Sequence, residues 1–156
     1  MEWIATSREP PEHWLNMSNK TRVLILCTGN SARSQMAEGL LRHDHGERFE
    51  VESAGTNPGF VRPEAITVMR EVGIDLSGHR SKHVEEFGAQ QFDYVITVCD
   101  NARETCPVYF GKAQKLHHDF EDPAALTGSE EQRLALIRRV RDELRSYLRR
   151  FALSTT

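Results

Sequence analysis

Val23-Leu24-Ile25-Leu26-Cys27-Thr28-Gly29-Asn30-Ser31-Ala32-Arg33-Ser34-Gln35-Met36-Ala37-Glu38-Gly39-Leu40-Leu41 is the stretch whose reading decides the fold. The four leading apolar residues read as a buried strand, the Gly- and Ser-bearing centre as a tight turn, and the part from Ser34 as a helix. A turn that opens into a helix leaves backbone N–H groups unpaired at the positive end of the helix dipole, where an oxyanion binds well. Cys27 begins that turn and Arg33 stands six residues later. The same N–H groups and dipole favour a thiolate over a thiol, which makes Cys27 a candidate nucleophile. The planar fork of Arg33 can hold two oxygens of a tetrahedral anion. A cysteine after a strand is more often a small core hydrophobe. Here the strand, the small polar turn and the helix together favour a cysteine-based site for phosphate or a phosphate-like oxyanion.

Outward from this stretch, strands and helices alternate. Strands are expected at about 22–27, 49–53 and 94–98, with a shorter, more polar one at 115–118. Helices are expected at about 34–45, from Pro63 to a stop at Gly73 with Ile66, Met69 and Val72 on the apolar stripe, and from Ser129 to the C-terminus. Ser129 and Gln132 have the spacing of a capping box. Leu134, Ile137, Leu144, Leu148 and Phe151 form the apolar side of that last helix, and its arginines its solvated side. Ser81–Phe87 reads as a further short helix. Strands separated by helices predict an α/β domain over 21–156: a four-stranded parallel sheet flanked by helices on both faces. Residues 1–20, broken by Arg8-Glu9-Pro10-Pro11-Glu12, read as an irregular N-terminal extension.

Composition narrows the class. The chain has 156 residues, 38% hydrophobic and 28% charged, with a net charge of −3. That balance argues against nucleic acid or a membrane surface as partner. No segment has the length of a membrane span or the pattern of a signal peptide, so the cytoplasm is the expected compartment. In a reducing compartment, three cysteines point to catalysis or redox work rather than a disulfide framework.

Ligands in a parallel sheet bind beyond the carboxyl ends of the strands. Cys27, Cys99 and the Asp119–Asp122 region all follow expected strands and so should share one rim. Cys99 and Cys106 are spaced too widely for a common zinc knuckle. Asp100–Thr105 reads as a short helix. Seven residues of helix rise about 10 Å, whereas the Cα atoms of a disulfide lie within about 7 Å, so bridging these thiols requires the segment to loop out. Among the acids, Asp119, Glu121 and Asp122 are all placed to protonate a leaving oxygen.

These residues resemble the low-molecular-weight protein tyrosine phosphatases, from about residue 21 to the C-terminus. The resemblance is carried by Cys27–Ser34, by Ser53-Ala54-Gly55-Thr56 and by Asp122-Pro123-Ala124. Within that family the thioredoxin-coupled arsenate reductases are the more similar branch. They have Cys-Thr-Gly-Asn-Ser in the loop, a pair matching Cys99 and Cys106, and alanine after Asp-Pro. The resemblance implies that Cys27 attacks arsenate held by Arg33 and the loop Thr28, Gly29, Asn30, Ser31, Ala32 and Ser34. It implies that Ser34 stabilises the thiolate and that Asp122 is the general acid. Cys99 then attacks Cys27, Cys106 attacks Cys99, and thioredoxin, or a glutaredoxin with glutathione, restores the dithiol. No organic or metal cofactor is implied. Some relatives hold potassium through positions matching Asn30, Glu38 and Ser53; the basic Arg80 and Lys82 nearby suggest that Lys82 replaces the ion. The alternatives are a phosphotyrosine phosphatase working through a phosphocysteine, and, outside enzymes, an oxyanion-binding module or cysteine phosphocarrier with no need of Asp122.

Overall fold

A computed structural model describes residues 20–100, 109, 111–123 and 127–155. The expected N-terminal extension, apart from Lys20, lies outside the described residues. So do the expected helix after Asp100, Cys106 and Ala124. Among the described residues there are four strands: β1 (Thr21–Cys27), β2 (Phe49–Gly55), β3 (Tyr94–Thr97) and β4 (Gln114–His117). Three α-helices accompany them: α1 (Arg33–His45), α2 (Pro63–Arg70) and α3 (Glu130–Ser154). The sheet is parallel throughout in the order β2-β1-β3-β4, so β1 runs down its middle. Being buried on both faces, β1 is apolar without alternation, and Val23–Leu26 are fully buried.

The two faces are covered differently. Val23 and Ile25 face a large core that takes Met36, Leu40 and Leu41 from α1, Val68 and Met69 from α2, and Val140, Leu144 and Leu148 from α3. Leu24 and Leu26 face a smaller core closed by Phe87 and Phe92, with Phe87 ending a single 3-10 turn, Val84–Phe87. The helix expected over Ser81–Phe87 is thus shortened at its start. Ser81 and Lys82 are extended against the turn after β1 instead: Ser81 Oγ donates to the Asn30 carbonyl, and Gly55 N–H to the Lys82 carbonyl.

Helix boundaries follow local chemistry. Ser129 and Gln132 close a reciprocal capping box at the start of α3. Past α2, Gly73 takes a φ of +81° while the Ile74 and Gly73 N–H groups return to the carbonyls of Met69 and Arg70, a glycine stop. The buried residues of α2 are Ala65, Val68 and Met69, with Ile66 and Val72 only half-buried, so the stripe is rotated from the expected one. On α3, Leu136, Val140 and Ala152 join the buried side and Leu134 sits at its edge. Arg141 is buried among them because its guanidinium caps α2 at the Val68 carbonyl and pairs with Glu71.

Candidate active site

The loop between β1 and α1 is shaped from outside. Its carbonyls are all engaged away from its centre. Thr28 accepts from Asn57 N–H at 3.0 Å, Gly29 from Gly59 at 3.2 Å, Ser31 from Arg62 at 2.9 Å and Ala32 from Met36 at 2.8 Å. The Asn30 carbonyl accepts from Ser81 Oγ at 2.6 Å. In a trans peptide the N–H points opposite to the carbonyl, so this bonding turns the following N–H groups to the inside of the loop. One of them, Asn30 N–H, donates to Cys27 Sγ at 3.3 Å. The loop is therefore a ring of donors around a sulfur, which is what an oxyanion adjoining a nucleophile requires.

Asn30 is the keystone. Its φ of +48° lies in the left-handed region, which asparagine tolerates better than most residues. The fully buried side chain is fixed by four bonds. Nδ2 donates to Ser34 Oγ at 2.8 Å and to Ser53 Oγ at 2.9 Å. Oδ1 accepts from Lys82 N–H at 2.8 Å and from Gln35 Nε2 at 2.9 Å. Ser34 Oγ lies 2.9 Å from Cys27 Sγ. With the Asn30 amide donating into the Ser34 oxygen, the hydroxyl proton is free to point at the sulfur.

Gly55 at the end of β2 allows this closeness. A Cβ there would stand 2.4 Å from the Thr28 carbonyl oxygen and 2.8 Å from that of Cys27. Both obstacles are loop backbone. Gly55→Ala is expected to cost about 1–3 kcal/mol of stability and to weaken phosphate binding with it, checked by thermal unfolding and a phosphate titration. An affinity left intact would mean that the loop absorbs the methyl group.

Behind the loop lies a buried charge cluster. Glu38 Oε1 accepts a short hydrogen bond from Ser53 Oγ and lies 3.3 Å from Lys82 Nζ, which is also 3.6 Å from Glu52. Glu38 Oε2 pairs with Arg42 at 2.8 Å and faces His79 at 3.9 Å. Burial opposes ionisation of Glu38, but the Ser53 bond and the charges of Lys82, Arg42 and His79 outweigh it, so its carboxyl is held below the usual glutamate range. Burial lowers His79 against the pull of Glu38. Glu38→Gln is expected to cost about 2–3 kcal/mol at pH 7. Because the folded pKa is the lower one, the Glu38 contribution is complete above about pH 4.5 and is lost as the pH falls further. The gap between wild type and Glu38→Gln in urea unfolding should thus narrow below pH 4.5; a gap unchanged into strong acid would contradict this account.

The rim gathers the remaining candidates. Arg33, 4% exposed at the first turn of α1, directs Nη1 to the Phe120 carbonyl at 3.2 Å and Nη2 to Asp122 at 3.6 Å. The three rival acids separate here: Asp119 bonds His117 at 2.6 Å and Glu121 pairs with Arg139 at 2.7 Å, leaving Asp122 as the carboxylate beside Arg33. Cys99 follows β3 next to Cys27, with Val98 N–H donating to the Leu26 carbonyl at 2.9 Å. Cys27 is a free, buried thiol, whereas Cys99 is buried and disulfide-bonded. No three His, Cys, Asp or Glu side chains converge as metal ligands among the described residues. Sequence reasoning assigned no role to Gln35, Gly55, His79, Ser81 or Phe120, whose contributions depend on approach in space. Only Gly55 carried a signal, inside Ser53-Ala54-Gly55-Thr56.

Comparison with known proteins agrees with this geometry. Residues 22–155 match the family profile described as low molecular weight phosphotyrosine protein phosphatase. An arsenate reductase of Halalkalibacterium halodurans is 40% identical over 134 residues, covering 86% of this chain and 96% of the relative. A solved arsenate reductase in the phosphate binding state superposes with a TM-score of 0.73 at 31% identity, over 87% of this chain and 99% of the other. A thioredoxin-dependent arsenate reductase from Corynebacterium glutamicum superposes at 0.62 and 29% identity, over 91% of this chain and 67% of that one.

Proposed function

Because the chain belongs to the low molecular weight phosphotyrosine protein phosphatase family, we propose that it reduces arsenate to arsenite through a three-cysteine relay recharged by thioredoxin. The observation that carries the reading is the shared rim: a buried Cys27 whose sulfur accepts from Asn30 N–H, Arg33 beside Asp122, and Cys99 just past the neighbouring strand.

The chemistry follows from the groups present. Arsenate enters the ring of loop N–H groups with its oxygens on the Arg33 fork. Cys27 thiolate attacks arsenic as an oxygen departs, and Asp122 supplies the proton that makes this oxygen water. Cys99 thiolate then attacks Cys27 Sγ. The sulfur–arsenic bond breaks, its electron pair stays on arsenic, and arsenite leaves behind a Cys27–Cys99 disulfide. Cys106 attacks Cys99, freeing Cys27 as thiolate, and a dithiol donor reduces the Cys99–Cys106 bond. The balance is one arsenate and one dithiol to one arsenite, one disulfide and water. The Lys82 ammonium beside Glu38 fills the role a potassium ion has in some relatives. The need for a reduced dithiol donor places this chemistry in the cytoplasm.

A second reading is favoured by the family description itself. Cys27, Arg33 and Asp122 serve phosphoryl transfer equally well, and hydrolysis of aryl phosphates would accompany reduction. The test is NADPH oxidation in a mixture of arsenate, thioredoxin and thioredoxin reductase, with a glutaredoxin–glutathione mixture in parallel. Oxidation that depends on arsenate and on this protein is expected with thioredoxin. Its absence in both mixtures would remove the reductase reading, and activity with glutaredoxin alone would replace the donor.

A further inference from the structure

Arg33 is held from beyond its own loop. Its Nη1 donates to the Phe120 carbonyl in a buried bond that joins α1 to the segment after β4. That carbonyl can orient a guanidinium only if residue 120 is itself fixed. The Phe120 ring, 2% exposed, is packed in a three-ring cluster with His118 and Tyr147. Ring centroids lie 4.6 Å apart for His118 and Phe120, 4.9 Å for His118 and Tyr147, and 5.8 Å for Phe120 and Tyr147. The Phe120–Tyr147 pair meets edge to face at 78°, a favoured aromatic geometry.

Each outer ring is anchored elsewhere. His118 continues β4, with its N–H on the Thr97 carbonyl at 3.1 Å and Nδ1 bonded to the Asp119 carbonyl. Tyr147 lies one helical turn before Phe151 on α3, and the Phe151 ring contacts Phe49 at 5.4 Å and Tyr94 at 5.1 Å. The cluster is thus a path from sheet and C-terminal helix to a backbone carbonyl that accepts from Arg33. The exposed Glu121–Arg139 pair adds a second tie to α3 at 2.7 Å, but surface pairs of this kind contribute little.

We propose that Tyr147 and His118 are positioning residues for oxyanion binding: they clamp Phe120 so that its carbonyl holds the Arg33 fork toward the loop. This presumes the oxyanion site proposed above. Arginine binds a tetrahedral anion well only when its plane is preset, since a free guanidinium must lose its rotational freedom on binding. Truncating Tyr147 opens the cluster on its α3 side and leaves Phe120 free to shift, and the carbonyl shifts with it.

The test uses inorganic phosphate as the probe, with its Kd measured by titration calorimetry and stability by thermal unfolding. Tyr147→Ala is expected to raise the phosphate Kd roughly tenfold. Tyr147→Phe, which keeps the ring, should stay within about twofold of wild type. Phe87→Leu, which thins the core on the opposite face of the sheet, should lower the unfolding temperature without changing the Kd. His118→Ala, at an exposed position, carries the same expectation as Tyr147→Ala and stands in for it if that variant does not fold. A wild-type protein that binds phosphate while Tyr147→Ala or His118→Ala binds it equally well overturns the clamp and leaves the oxyanion site standing. A Phe87→Leu Kd that rises with the others would also overturn it, by reducing the effect to general destabilisation. Wild type that binds no phosphate removes the oxyanion site, and the clamp falls with it.

Discussion

Cys27→Ser is expected to abolish arsenate-dependent NADPH oxidation, a loss of about 10⁴-fold or more, while phosphate still binds. The two outcomes separate because the structure separates the groups. In the proposed site, binding would use the loop N–H groups of residues 29–33 and the Arg33 fork, none of which belongs to the Cys27 side chain. In the proposed mechanism attack would use only the sulfur, which lies 2.9 Å from Ser34 Oγ and 3.3 Å from Asn30 N. A serine hydroxyl in their place keeps its proton at neutral pH and attacks arsenic poorly. The variant is thus a binding protein without turnover. Calorimetry with phosphate beside the coupled assay measures both properties. Retained reduction in Cys27→Ser would assign the first attack to another thiol.

Cys99→Ser is the second large effect, and it divides the two enzymatic readings. Arsenate reduction should fall to background, because no thiol remains at the end of β3 to attack Cys27 and release arsenite. Hydrolysis of an aryl phosphate should continue within a few-fold of wild type, since water, Cys27, Arg33 and Asp122 suffice for it. The expected ratio of the two activities therefore changes by about three orders of magnitude or more. Measuring both on one preparation guards against a folding artefact, because a misfolded protein would lose both. Reduction that survives in Cys99→Ser would dismiss the relay, and hydrolysis lost with it would point to a structural role for the Cys99 disulfide.

Much of the site was legible because it is local. A strand, a glycine-bearing turn and a helix within nineteen residues specify the donor ring, and Val23–Leu41 contains all three. Asp122 needed more: three carboxylates lie within four residues, and the sequence alone left them as rivals. The fold brings each a different neighbour, His117 for Asp119, Arg139 for Glu121 and Arg33 for Asp122, and spacing along the chain does not report these. Ser81 and Lys82 were read as helix from their neighbours. They are extended because the loop carbonyl of Asn30 and the N–H of Gly55 needed partners, a requirement set some thirty to fifty residues away. The rotation of the apolar stripe on α2 has a similar origin. Its buried side is fixed by where α1 and α3 lie, which spacing within one helix does not report. Phe120 gave no signal at all, since its contribution to Arg33 is a backbone oxygen that any residue type possesses.

The outward bonding of the loop carbonyls has one more consequence. A cradle whose dipoles are fixed by residues 57–62 and 81 does not reshape itself around its guest. Arsenate and phosphate share charge and tetrahedral form, so such a cradle admits both and ranks them poorly. Selection must then come after entry, from what each adduct can undergo. A thiol attacking a sulfur–arsenic bond gives arsenic a stable place for the electron pair, whereas a phosphocysteine offers no such outlet and returns its phosphate to water. Discrimination would therefore be kinetic and downstream, with phosphate a competing occupant that sets how much arsenate the cell must hold before reduction is fast.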